Sequence, residues 1–382
     1  MSAPVVIVGA GLAGYNLARE WRKLDAETPL VIIARDAADY YSKPMLSNAL
    51  ASKKTPETLV MKPMAKMAEE LRATLLAHTE LVSIDTAARS LSLGNGDTLV
   101  YRDLVLALGA DPVRLRLEGD AVDEVMSVND LDDYARFAGR LDGVERVAIL
   151  GAGLIGCEFA NDLIARGIAP ILIDPAAALL SRLLPRQAGE MLAARLTDAG
   201  VTFRCGAAAQ KIERSGNAYA VVLDTGERIA ADLVLSAVGL RPRTALAQAA
   251  GLEVARGIVL DRNLQSSAPH VYAMGDCAEV AGLNLPFVMP IMQQARALAA
   301  TLAGTVTPVR YPAMPVLVKT PSCPTIVAPP LQGEGEWQIE PVEAGLIARY
   351  VGADGALIGF ALLGTATKER QALVSQLPPW LA

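Results

Sequence analysis

Histidine, cysteine and aromatic residues are scarce in this 382-residue chain: two His, four Cys, and Phe, Trp and Tyr together 4%. Cys157, Cys205, Cys277 and Cys323 stand apart and form no CxxC. That spacing disfavours a zinc ribbon, iron–sulfur ligation and a local dithiol pair, and most of the four read as small buried hydrophobes. Blocks of basic residues are also missing and the formal net charge is −6, so neither nucleic acid nor an anionic membrane is an expected partner. No apolar run approaches the roughly 18 residues needed to span a bilayer. The opening residues enter a strand pattern with no charged leader, so a cytoplasmic protein without membrane insertion is expected. A hydrophobic share of 52% with so few aromatics favours Ala/Leu/Val-rich α/β layers over an all-β sandwich, and the length favours two or three domains.

What is present begins with Val5 to Gly14, VVIVGAGLAG, a β-branched run breaking into GxGxxG ahead of the helical pattern Leu17, Ala18, Trp21. A strand that feeds a helix through glycines brings backbone N–H groups and the positive helix end to a pyrophosphate. Gly9 permits the tight turn, Gly11 the approach of phosphate and Gly14 the packing of helix on strand. A second strand pattern, Leu30 to Ala34, ends at Asp36, where an acid can hydrogen-bond an adenosine ribose. Asp39 competes for that role, Arg35 confuses the site, and a solvated turn acid is an equal reading. In the following loop, Lys43-Pro44, a lone lysine could meet a phosphate, a cofactor carbonyl or only solvent. Segment 81 to 101 reads as a β-meander, and the apolar strand Leu104 to Ala107 returns to the first core with Gly109 at its end.

Val147 to Glu158 repeats the opening design with Gly151, Gly153 and Gly156, and Ala169 to Asp174 supplies the second strand and its acid. A carboxylate there accepts from the ribose 2′ and 3′ hydroxyls and repels a 2′-phosphate, which favours NAD(H) over NADP(H). A second meander follows from 191 to 240, and its last apolar strand again ends in glycine, Gly239. Strand, glycine loop, helix, strand-acid, meander and strand-glycine thus occur twice, an internal duplication able to hold two dinucleotides. A third piece, Val271 to Ala278, ends a short strand in Gly275-Asp276 before a helical stretch from Pro290 to Ala303. An Asp in that place either accepts from a ligand hydroxyl or simply caps the helix. Residues 306 to 382 read as a small β-rich lid with a helix near Thr367 to Leu377.

Taken in order, GAGLAG, LVLALGA, GAGLIGCE, LVLSAVGLRPR and SSAPHVYAMGDCAE resemble the pyridine nucleotide–disulfide oxidoreductases, flavoprotein reductases with two dinucleotide-binding domains, over residues 4 to 305. The resemblance implies an α/β fold with two Rossmann-like, glutathione-reductase-like domains and a small C-terminal α+β domain. Residues 1–110 with 240–305 would bind FAD, 111–239 NAD(H), and 306–382 would form the β-rich cover. It assigns Gly9, Gly11 and Gly14 to the FAD pyrophosphate, Asp276 to the ribityl chain, and Gly151, Gly153 and Gly156 to NAD(H). Asp36, Lys43, Pro44, Gly109, Gly239 and Gly275 complete the expected cofactor contacts, with Asp174 on the NAD ribose.

Within that superfamily, YSKPMLSN with MPVLVKTPSCP is similar to the bacterial rubredoxin and flavorubredoxin reductases. Classical disulfide reductases carry a Cys pair in the first FAD-domain helix, and peroxidase-type relatives a single Cys where this chain has Asn48; neither is present. Reductases of oxygenase systems usually read RPPLSK, against Lys43 and Asn48 here, and tend to place an aromatic where Lys319-Thr320-Pro321 stands. The resemblance therefore implies hydride transfer from NADH to flavin N5, then single-electron transfers to a rubredoxin-type carrier that feeds a hydroxylase or an oxygen- or nitric-oxide-detoxifying chain. Glu158 is expected over the flavin–nicotinamide junction, paired with Lys43 and with Lys319 as a secondary candidate, and Glu158, Lys43 and Lys319 are the expected catalytic groups. The carrier should dock through a small apolar contact at the flavin edge, where Lys43, Lys319, Arg114 or Arg116 could meet an acidic surface, and the chain should be a monomer or weak dimer. The alternatives are an NADH:ferredoxin reductase and a non-turnover signalling flavoprotein, the latter expected to show a targeting segment or basic surface.

Overall fold

The computed structural model describes residues 3–331 and 333–382. Val5–Val8 is wholly buried at the centre of a five-stranded parallel sheet, ordered Val271–Ala273, Asp103–Leu106, Val5–Val8, Leu30–Ile33, Thr74–Leu76. Strands covered on both faces need apolar side chains at every position, which is why VVIV and LVII show no alternation. A second parallel sheet repeats the plan in the order Thr202–Cys205, Ala169–Asp174, Arg146–Leu150, Leu233–Ser236. Each glycine loop opens an 11-residue helix, Leu12–Arg22 in the first half and Leu154–Ile164 in the second.

The glycines are enforced by contact. A Cβ on Gly14 would lie 1.9 Å from the Gly9 carbonyl oxygen, and one on Gly156 2.0 Å from that of Gly151. Nothing lies within 4 Å of a Cβ on Gly11 or Gly153, so the middle glycine of each loop faces open space. The outer glycines fix helix on strand, and the middle one leaves room for whatever binds.

Each parallel sheet is interrupted, before its later strands, by a three-stranded antiparallel meander, Leu81–Asp85, Ser90–Leu93 and Thr98–Val100 in the first half, Ala209–Ser215, Ala218–Leu223 and Arg228–Ala231 in the second. The chain passes between the halves at Ala110–Pro112 and again at Leu240–Pro242, and these two segments pair antiparallel.

Residues beyond 306 add a five-stranded antiparallel sheet, ordered Val316–Val318, Thr325–Ala328, Leu357–Gly364, Gly345–Gly352, Gly335–Val342. The strand Thr325–Ala328 escapes sequence reading because all four residues are buried and it lacks alternation. The helix expected near Thr367 to Leu377 is shorter: a 3₁₀ turn, Thr365–Glu369, runs into Arg370–Val374. One apolar cluster ties the parts together, with Leu46 and Leu50 from the first, Phe159 and Leu163 from the second, and Val318 and Val327 from the third. Among the described residues no helix is long and apolar enough to cross a membrane. All four cysteines are free; Cys157, Cys277 and Cys323 are buried and Cys205 is half-buried.

Candidate active site

A cavity of about 760 Å³ is walled by the first glycine loop, by the second-half helix and by the C-terminal sheet. Gly9, Gly11, Asp36, Lys43, Pro44, Gly109, Glu158, Gly239, Asp276 and Lys319 all line it. Outside its wall stand Gly14, Gly151, Gly153, Gly156, Asp174 and Gly275, of which Gly14 and Gly156 act through helix packing. The first helix begins at Gly11 with no side-chain cap, so its leading N–H groups are left for a ligand anion.

Two acids competed for the first strand end. The Asp39 carboxylate accepts from the Met64 N–H at 2.8 Å and so is used to start the Met64–Leu71 helix. Asp36 accepts from the Ala38 N–H at 3.0 Å and lies in the cavity wall beside Arg35. In the second half both Asp174 oxygens are engaged, one by the Ala152 N–H at 2.7 Å and the other by the Ala176 N–H at 2.8 Å. That carboxylate therefore shapes the second glycine loop directly.

Gly275-Asp276 is not a helix cap. Asp276 sits within the Gly275–Cys277 turn, which approaches the first helix so closely that a Cβ on Gly275 would lie 2.9 Å from the Ala13 Cβ. Gln294, which sequence reasoning missed, accepts from the Gly275 N–H at 2.8 Å and holds the turn. Among the described residues nothing donates to the Asp276 carboxylate, and burial pushes its carboxyl above the ordinary range against the pull of Lys43 and Arg243.

Lys43 requires a correction. Its Nζ donates to Asn129 Oδ1 at 2.7 Å, and Asn129 in turn donates to the Ala110 carbonyl at 3.0 Å, so Lys43 does not pair with Glu158. Burial lowers the Lys43 ammonium, with Asp276 the foremost opposing charge. The physical reason is placement: Lys43 opens the Lys43–Asn48 turn on the side of Asp276 and Arg243, while Ser47, one turn on, meets Glu158.

Lys319 is the partner. Glu158 is 1% exposed, and its Oε2 accepts from Lys319 Nζ at 2.5 Å and from Ser47 Oγ at 2.6 Å, while Oε1 accepts from the Lys319 backbone N–H at 2.9 Å. Lys319 Nζ also donates to the Pro44 carbonyl at 2.5 Å and to Ser47 Oγ at 2.6 Å. A buried carboxylate with this many donors is held in one position. Arg243, quoted in the LRPR motif but not singled out, is anchored by Asp111 at 2.7 Å and the Leu108 carbonyl at 2.8 Å and also lines the cavity. Arg114 and Arg116 are exposed and lie outside the cavity wall.

The family profile of the pyridine nucleotide-disulphide oxidoreductases matches residues 3–300. The chain belongs to this family. A second profile, described as a rubredoxin binding C-terminal domain, matches residues 308–377. Among pyridine nucleotide-disulphide oxidoreductases, the rubredoxin-NAD(+) reductase of Alcanivorax borkumensis is 48% identical over 98% of both chains. The corresponding enzyme of Acinetobacter baylyi is 45% identical over 98% of both chains. A ferredoxin reductase from Rhodopseudomonas palustris has the same fold at a TM-score of 0.89, with 28% identity and 99% and 96% of the two chains covered. The protein is an oxidoreductase that uses FAD and NAD(H). Its residues fit the larger cofactor: an uncapped helix end beside the open side of Gly11 suits a pyrophosphate, and the undonated Asp276 carboxylate suits a hydroxylated chain.

Proposed function

We propose that the protein oxidises NADH and delivers the electrons singly to a rubredoxin-type carrier. Bound FAD supplies the chemistry, accepting a hydride and releasing electrons one at a time. Residues 1–110 and 240–305 hold the FAD, with Gly9, Gly11 and Gly14 at the pyrophosphate, Asp36 at the adenosine and Asp276 at the ribityl chain. Residues 111–239 hold NADH, with Gly151, Gly153 and Gly156 at its pyrophosphate and Asp174 fixing the loop and selecting against a 2′-phosphate.

The observation that carries this reading is the Glu158–Lys319 pair in the cavity wall. Its carboxylate comes from the helix that follows the second glycine loop, and its ammonium from the region matching the rubredoxin binding domain. A fixed cation there stabilises negative charge gained by the bound cofactor, and the buried carboxylate keeps it in place. Apolar side chains of the cavity wall, among them Phe159 and Met314, keep water from the transferred hydride.

Where the cavity meets solvent, Ile155, Leu240, Val288, Met289 and Leu317 are exposed, Leu317 at 58%. Exposed aliphatic side chains around a cofactor site suit brief docking of a small carrier better than a deep substrate pocket. A second reading, a ferredoxin as acceptor, draws on the fold shared with the Rhodopseudomonas palustris reductase. Steady-state NADH oxidation with rubredoxin, a [2Fe–2S] ferredoxin, cytochrome c and oxygen in parallel separates the two: rubredoxin should be fastest, and a rate no higher than that with oxygen overturns the proposal.

A further inference from the structure

The helix Leu154–Ile164 carries three buried polar residues, Glu158, Asn161 and Asp162, at 1%, 8% and 2% exposure. Buried polar groups on a helix interior are costly unless each finds a partner, and here every partner lies outside the helix's own half. Asp162 spends both oxygens on backbone, accepting from the Leu50 N–H at 3.0 Å and the Ala51 N–H at 2.8 Å. Those N–H groups follow directly on the Lys43–Asn48 turn that carries Ser47 and the Pro44 carbonyl. Asn161 Oδ1 accepts from the Ser322 N–H at 3.1 Å, three residues beyond Lys319.

One helix therefore grips two arms from different parts of the fold, residues 44–51 and residues 319–322. The arms meet at Glu158, where Ser47 arrives on one and Lys319 on the other. Neither Asn161 nor Asp162 lines the cavity. We infer that Asn161 and Asp162 are positioning residues for hydride transfer, holding the two arms so that the Ser47–Glu158–Lys319 cluster keeps its geometry. This rests on the role proposed above for Glu158 and Lys319. Their own bonds contribute nothing at the reacting atoms; their effect passes through the arms. A carboxylate at 162 can accept from two consecutive N–H groups, whereas an amide there turns its own donors toward one of them, so Asp162→Asn is not conservative.

The test is a double-mutant cycle on the FAD-loaded protein, read as the rate of flavin reduction at saturating NADH in stopped flow, with the NADH dissociation constant and the melting temperature measured alongside. Lys319→Met should slow reduction. Asp162→Asn should slow it about tenfold in the wild-type background, less than the roughly hundredfold that a misplacement of about 1 Å can cost, with the NADH dissociation constant unchanged. In the Lys319→Met background the same change should cost less than about twofold, because the cluster it positions is already broken. Equal costs in both backgrounds, or wild-type reduction by Asp162→Asn, overturn the inference. If Asp162→Asn fails to retain FAD, Asn161→Ala, which removes a single hydrogen bond, replaces it in the same cycle, with equal costs again decisive against. A wild-type rate in Lys319→Met alone instead overturns the role of the pair itself, which distinguishes the two failures.

Discussion

Lys319 Nζ lies 2.5 Å from the carboxylate of Glu158, a residue 161 positions earlier in the chain and 1% exposed. Removing one partner of a buried ion pair leaves the other uncompensated, at a cost of about 3–5 kcal/mol. Glu158→Gln and Lys319→Met should each lower the chemical-denaturation midpoint, and the double variant should recover part of that loss. In stopped flow, both single variants should reduce bound flavin about a hundredfold more slowly than wild type, the lower end of the effect of losing a preorganised electrostatic group.

Gly11 and Gly14 make a contrasting pair. A Cβ on Gly14 has no room and one on Gly11 meets nothing. Gly14→Ala should therefore give little folded protein, whereas Gly11→Ala should fold with a melting temperature near that of the wild-type apoprotein and bind FAD weakly. Fluorescence titration of the apoprotein with FAD checks the second outcome.

Coenzyme choice should rest on Asp174. We expect at least about a tenfold higher kcat/KM for NADH than for NADPH, and Asp174→Ala should erode that ratio while lowering kcat/KM for both, since the Ala152 N–H also loses its acceptor. Equal kcat/KM values for the two coenzymes in the wild-type protein refute the role.

Asp276 trades stability for binding. Burial raises its carboxyl, so the folded apoprotein binds the proton more tightly than the unfolded chain and loses stability as pH rises from the ordinary carboxylate range through the raised value. Asp276→Asn should therefore melt above wild-type apoprotein at neutral pH, with the gap closing in acid where the wild-type carboxyl is protonated in the folded and the unfolded chain alike. Its affinity for FAD should fall. Calorimetric scans across that pH range test the sign.

Carrier docking should be separable from hydride transfer. Leu317→Glu, at an exposed position on the cavity rim, should raise KM for rubredoxin severalfold and leave flavin reduction by NADH unchanged. Parallel stopped-flow and steady-state assays check it.

How much of this was legible in the sequence follows from range. The two glycine loops and their strands and helices obey local rules, so VVIVGAGLAG and AILGAGLIG are enough to locate those elements. The choice between Asp36 and Asp39 needed the position of the Met64 N–H, which no spacing near residue 39 reveals. Lys43 sits in the expected turn, yet its direction was set by Asn129, 86 residues away. A serine in a turn and an acid in a helix are ordinary, so nothing in the sequence marks Ser47 or Asp162. Only the fold shows that each touches another part of the chain.

The two crossing segments, Ala110–Pro112 and Leu240–Pro242, lie side by side. For the rest of the chain, everything between them is an excursion that leaves and returns through one doorway. Such an insertion can be exchanged for another with the same footprint, because the cost of closing a loop grows only slowly with its length. On the function proposed above, the hydride donor could thus be changed by replacing one contiguous stretch of sequence, provided the newcomer keeps the acceptors at Glu158, Asn161 and Asp162 that hold residues 44–51 and 319–322.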